Sequence, residues 1–170
     1  VSVGAYDYRQ KLNKFHTMAA RDQDLISLIN DIRPKLTIFS KCNKMHERVV
    51  KEAAKVSHTC LWYMDALNNI DQELISKIKN CNTFISGVPG SLSVGSKYNN
   101  NSFFVEQCPD DIYNYKIVDS PKRYDAMFIG NIFGEIHKER AFFLKNSKIH
   151  HFRNTYGHAH NELVNQAKIN

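Results

Sequence analysis

The chain has 170 residues, 42% of them hydrophobic and 24% charged, with a net charge of +6, and is long enough to bury a core. No run of about 18 apolar residues and no signal-peptide pattern occurs, so neither a membrane span nor export is indicated and a cytoplasmic location is the default. Cys42, Cys60, Cys81 and Cys108 lack CxxC spacing, and three of them lie within or beside apolar runs, which points to reduced core residues rather than bridges or metal ligands.

Asp22-Gln23-Asp24 is a cap signal for a helix with Leu25, Leu28, Ile29 and Ile32 at helical spacing, ended by Pro34. Residues 35–40 then predict a strand. After the polar turn Lys41-Cys42-Asn43-Lys44 comes a helix from Met45 to Val56, with Val49, Val50, Ala53 and Ala54 inward. His58–Tyr63 predicts a second buried strand, ending at Met64-Asp65. Asp71 caps a third helix running to Asn80, with Leu74, Ile75 and Ile78 on one face. Residues 82–86 form a short strand, 87–101 a Gly/Ser/Asn-rich loop or short helix, and 102–106 the next strand. Residues 108–120, opening on Cys108-Pro109-Asp110-Asp111, read as a crossover.

From Arg123 to Arg140 the sequence RYDAMFIGNIFGEIHKER describes a strand, a glycine turn and a helix. Tyr124 and Ala126–Ile129 fill a strand buried on both faces, and Gly130 turns the chain where backbone N–H groups would face a phosphate. Residues 148–152 predict a further strand and His160–Lys168 a helix, with a last apolar strand opening at Lys168-Ile169-Asn170. Strands alternating with helices of about ten residues require right-handed βαβ units in an α/β fold with Rossmann-like parallel sheets. Residues 35–40, 58–63, 82–86 and 102–106 belong to one sheet, 124–129 and 148–152 to a second. The domain boundaries follow: a first lobe over 1–120, with a linker near 107–120, and the start of a second over 121–170. A start at Val1 and a stop within an apolar strand suggest a fragment of a longer protein.

Phe128-Ile129-Gly130-Asn131 followed by Arg140-Ala141-Phe142-Phe143-Leu144 resembles the GT-B glycosyltransferases, in particular the group-1-like branch with the spore-maturation-type enzymes. Phe39-Ser40-Lys41, Trp62-Tyr63-Met64-Asp65, Gln107-Cys108-Pro109-Asp110, Tyr113 and Tyr124-Asp125 occur in the order found in that branch. The family's first strand is absent at the amino end, and its acidic residues for the donor ribose and sugar would lie beyond Asn170. The resemblance implies an enzyme of two Rossmann-like lobes that transfers a sugar from a nucleotide-sugar to an acceptor hydroxyl. It also implies no metal and no cofactor besides that substrate, because cationic side chains and a helix dipole take the metal's place.

Such chemistry needs a base for the acceptor hydroxyl and charge stabilisation for the departing diphosphate. Asp65, at the carboxyl end of its strand and facing a cleft between the lobes, is the candidate base, with helix capping or pairing to Lys41 as the alternatives. Gly130 and Asn131 are candidate backbone donors to phosphate, and Arg140 a bidentate guanidinium, or else the partner of Glu135 or Glu139. Lys41 and Asn43 belong to the acceptor side. His150-His151 and His158-Ala159-His160 lack a zinc-like spacing with acidic or Cys partners, which favours no metal.

Charge is uneven along the chain: +4 over residues 1–50 (nine Lys/Arg against five Asp/Glu), −2 over 51–120 (six against eight) and +4 over 121–170 (eight against four). Two basic lobes suit an anionic ligand such as a nucleotide. They equally suit a phage-type DNA base-modifying glycosyltransferase, and a non-catalytic nucleotide-binding α/β module or a flavodoxin-like interaction domain are further alternatives. The acceptor could be a glycan, a protein, a small molecule or a modified DNA base.

Overall fold

A computed structural model describes residues 17–65, 70–108 and 112–169, and divides the chain into two units, residues 1–107 and 108–170. Both are α/β with parallel sheets. In the first unit the elements are α1 (Met18–Ile32), β1 (Leu36–Ser40), α2 (Glu47–Ala53), β2 (His58–Tyr63), α3 (Gln72–Asn80), β3 (Thr83–Ser86), α4 (Pro89–Gly95) and β4 (Ser102–Phe104). The sheet order is β1-β2-β3-β4, every pair parallel, with Phe39 opposite Leu61 and Leu61 opposite Phe84. The four expected strands therefore share one sheet.

Three crossovers stepping in the same direction, each right-handed, must lie on one face of the sheet. Phe39, Leu61, Tyr63 and Phe84 point to that face and join Leu25, Ile29, Met45, Val49, Val50, Leu74 and Ile78 in a single core. The opposite face carries Leu36, Ile38 and Phe103, which are 52%, 58% and 53% exposed. A parallel sheet ordinarily has both faces covered; on this second face these three described side chains stay exposed while Cys60 is buried.

Local chemistry sets the helix ends. Asp71 caps α3 as expected, its Oδ1 accepting from the Leu74 N–H at 2.8 Å. The start of α1 differs from expectation: Thr17 caps it, Oγ1 accepting from Ala20 N–H at 3.1 Å, and Asp22 lies buried inside the helix. With Arg21, Asp22, Leu25, Ile26 and Ile29 inward, the expected inward Leu28 and Ile32 are left exposed. The second helix is shorter than its apolar pattern suggested, because His46 caps it through Nδ1 and Met45 is buried ahead of the cap.

The second unit contains β5 (Tyr124–Ile129), a 3₁₀ turn (Glu135–His137) running into α5 (Lys138–Lys145), β6 (His150–Phe152), α6 (Gly157–Gln166) and β7 (Ala167–Ile169). Its sheet has the order β6-β5-β7, all parallel. The helix expected to reach Lys168 stops at Gln166, because Ala167 enters the sheet opposite Tyr124 and is buried there. The linker expected near 107–120 is, in its described part from 112 on, fastened to α6: Asn161 Oδ1 accepts from Tyr115 N–H at 3.2 Å and Asn165 Oδ1 from Ile117 N–H at 2.8 Å. The unit boundary accordingly falls at Gln107–Cys108. Among the described residues no helix is long and apolar enough to cross a membrane.

Candidate functional site

In the first unit the chain leaves β1 through two consecutive left-handed residues, Lys41 (φ 60) and Cys42 (φ 52). Neither is glycine, and each such residue costs about 1–2 kcal/mol from the clash of Cβ with the following carbonyl. The distortion brings Lys41 Nζ to 2.8 Å from Asp65 Oδ1 at the end of the neighbouring strand. Asn43 Nδ2 donates to Asp65 Oδ2 at 3.4 Å, and Ser91 Oγ, at the start of α4, donates to the Asp65 carbonyl at 3.1 Å. The three residues assigned to the acceptor side and to the base thus form one cluster at the carboxyl ends of β1 and β2. Of the alternatives for Asp65, pairing with Lys41 is realised, whereas the capping of α3 falls to Asp71.

Beneath this cluster lies a buried layer. The Tyr63 phenol is fully buried with no hydrogen-bond partner among the described residues, and burial, reinforced by Asp65 and Asp71, pushes it up to about 12. Burial likewise pushes the Cys42 thiol up to about 11 against the opposing pull of Lys77, so it stays protonated and unreactive at neutral pH. Lys77 is itself buried, its Nζ 3.0 Å from Glu73 Oε1 and donating to Cys42 O at 3.0 Å.

In the second unit Gly130 ends β5 with its N–H donated to Phe152 O at 3.0 Å and its carbonyl accepting from His151 Nε2–H at 2.8 Å. Its N–H is therefore engaged in extending the sheet rather than turned outward to a ligand. A side chain here would make the Phe128 ring shift, since an added Cβ would lie 2.7 Å from its Cζ. That ring stacks on His151 and carries the Arg140 guanidinium 5.3 Å above its centroid. Arg140 Nη1 donates to Asn131 O at 3.1 Å, and Asn131 Oδ1 accepts from Phe133 N–H at 3.0 Å. Arg140 thus fastens the β5–α5 loop, while Glu135 pairs with Lys138 at 3.8 Å.

The same strand ends open onto a cleft of about 460 Å³ lined by Gly130, Asn131, Arg153, Thr155, Tyr156 and His160, among others. Among the described residues no carboxylate lines it. Arg153 rests 4.8 Å from the centroid of Phe133, and α6 begins at the cleft with no side-chain cap and no acidic residue in its first turn. Gly130 and Asn131 were placed here by the sequence; Arg153 and His160 were missed, since an isolated Arg after a three-residue strand carries no pattern. Ser91 and Lys77 were missed too. A signal existed for Lys77, which sits three residues after Leu74 on the apolar face of α3.

The histidines that invited a metal reading go elsewhere. His150 packs on Tyr124, His151 holds Gly130, and His158 packs against Tyr113 and Tyr115. Among the described residues no three His, Cys, Asp or Glu side chains gather as metal ligands. None of the four cysteines is in a disulfide. Comparison with known families, curated proteins and solved structures yields no match to this chain.

Proposed function

We propose that the chain is part of a GT-B-type glycosyltransferase, its first unit holding a hydroxyl acceptor at Asp65 and its second taking a nucleotide-sugar donor. The observation that carries this reading is the cleft at the carboxyl ends of β5 and β6, which presents Arg153 and His160 and, among the described residues, no carboxylate. Open α/β sheets bind ligands at the carboxyl ends of their strands, and a cationic cleft there suits a diphosphate. Asp65 takes the acceptor proton as the acceptor oxygen bonds to the sugar's anomeric carbon. The bond from that carbon to the phosphate oxygen breaks, and its electron pair leaves with the nucleoside diphosphate. Lys41 and Asn43 orient the acceptor; Arg140, Arg153 and the Asn131 N–H offset the leaving-group charge. No resident metal or cofactor is required by this scheme.

The non-catalytic nucleotide-binding module is the second reading, favoured by the 2.8 Å pairing of Asp65 with Lys41, which already gives that carboxylate a structural role. Titration calorimetry of the full-length protein against a panel of nucleoside diphosphates tests the donor site common to both. Binding should be measurable in the wild type and weaken about tenfold in Arg140→Ala, the worth of one charge-assisted hydrogen bond. Acceptor binding should be unchanged. Equal nucleotide affinity in the variant would confine Arg140 to fastening the loop, and a wild type that binds no nucleotide would remove the donor-site reading.

A further inference from the structure

Among the described residues of the first unit three charged side chains are almost wholly buried: Arg21 and Asp22 of α1, and Lys77 of α3. All three reach the backbone of one loop, residues 41–46. Lys77 Nζ donates to Cys42 O at 3.0 Å, Arg21 Nη2 to Lys44 O at 3.4 Å, and Asp22 Oδ2 accepts from His46 N–H at 3.2 Å. The Cys42 carbonyl also accepts from Met45 N–H at 3.1 Å. Charges are rarely buried unless they are held by partners, and each of these three has a partner in this one surface loop. It is also the loop that carries two consecutive left-handed residues and delivers Lys41 and Asn43 to Asp65.

We propose that Arg21, Asp22 and Lys77 are positioning residues, a buried charged brace that keeps loop 41–46 in its left-handed form so that the Lys41–Asn43–Asp65 cluster exists before a ligand arrives. Strained backbone persists only where its surroundings over-determine it, and three charge-assisted contacts to six residues do so. Fixed donors and a fixed carboxylate spare an incoming hydroxyl the reorganisation of a mobile loop. The ligand class, a hydroxyl-bearing acceptor, rests on the glycosyltransferase reading of Asp65; the brace does not.

The test uses the full-length protein and two variants: Lys77→Met, which keeps the side-chain length, and Arg21→Met combined with Asp22→Leu, which removes both α1 charges together. Amide hydrogen exchange without substrate should accelerate at least tenfold in the peptide covering 41–46, with β2 and β3 unchanged. In Lys77→Met the acceptor KM should rise at least tenfold while the donor KM stays constant, a split that a general loss of stability would not produce. Unchanged loop exchange in whichever variant folds overturns the brace. A loosened loop with an unaltered acceptor KM overturns its service to the site. If the wild type transfers no sugar, the glycosyltransferase reading falls, and the exchange data still decide the brace.

Discussion

Asp65→Asn in the full-length protein should lower turnover by roughly 10²–10⁴, the usual contribution of a positioned base. The amide keeps the shape of the carboxylate and can still meet Lys41 and Asn43, but it cannot take a proton. Stability should hardly change, because a partly exposed ion pair contributes only about 0–1 kcal/mol. No helix cap is lost either, since α3 is capped by Asp71. Steady-state kinetics should place the loss in kcat, with the donor KM unaltered. Near-normal turnover would leave Asp65 as the structural partner of Lys41 and favour the non-catalytic nucleotide-binding reading.

Gly95→Ala should destabilise the first unit by about 2–3 kcal/mol, although alanine is the better helix former by about 1 kcal/mol. The last residue of α4 lies against the Phe84 ring, and an added Cβ would sit 2.2 Å from Cε1 and 2.6 Å from Cδ1. Phe84 is fully buried within the sheet's packed face, so the ring has nowhere to retreat. Thermal unfolding should show a fall in Tm of roughly 10 °C for a unit of this size. Phe84→Leu on the same background should recover part of it. A raised Tm in Gly95→Ala would mean that helix propensity wins and that the ring has room to move.

The strands and their parallel order were legible because β1, β2, β3 and β5 are apolar runs separated by helical periodicity, a pattern few topologies satisfy. Asp71 was legible as a cap for the same local reason. The start of α1 was not, since its first turns put Arg21 and Asp22 inward, and periodicity counts only apolar residues as buried. β7 was legible only as a strand opening at Lys168; its first residue, Ala167, falls within the expected helix, and its place beside β5 depends on pairing that a three-residue run does not announce. In the site, Lys41, Asn43 and Asp65 could be read together from their places at adjacent strand ends. The charges beneath them could not, because a buried lysine is recognisable only once its carbonyl partner is known. At Gly130 the observed constraint differs from the expected one: the neighbouring Phe128 ring would have to shift for a side chain, and the N–H expected to face a ligand belongs to the sheet.

The exposed apolar side chains on the second face of the first sheet bear on how this unit responds to heat and denaturant. Apolar surface already wet in the native state adds nothing to the heat-capacity increment of unfolding, and Leu36, Ile38 and Phe103 are in that position. For its length the unit should therefore have a flattened stability curve and a shallow denaturant slope, both of which follow the area newly exposed on unfolding. Two-faced α/β sheets of equal strand count would show the steeper dependence.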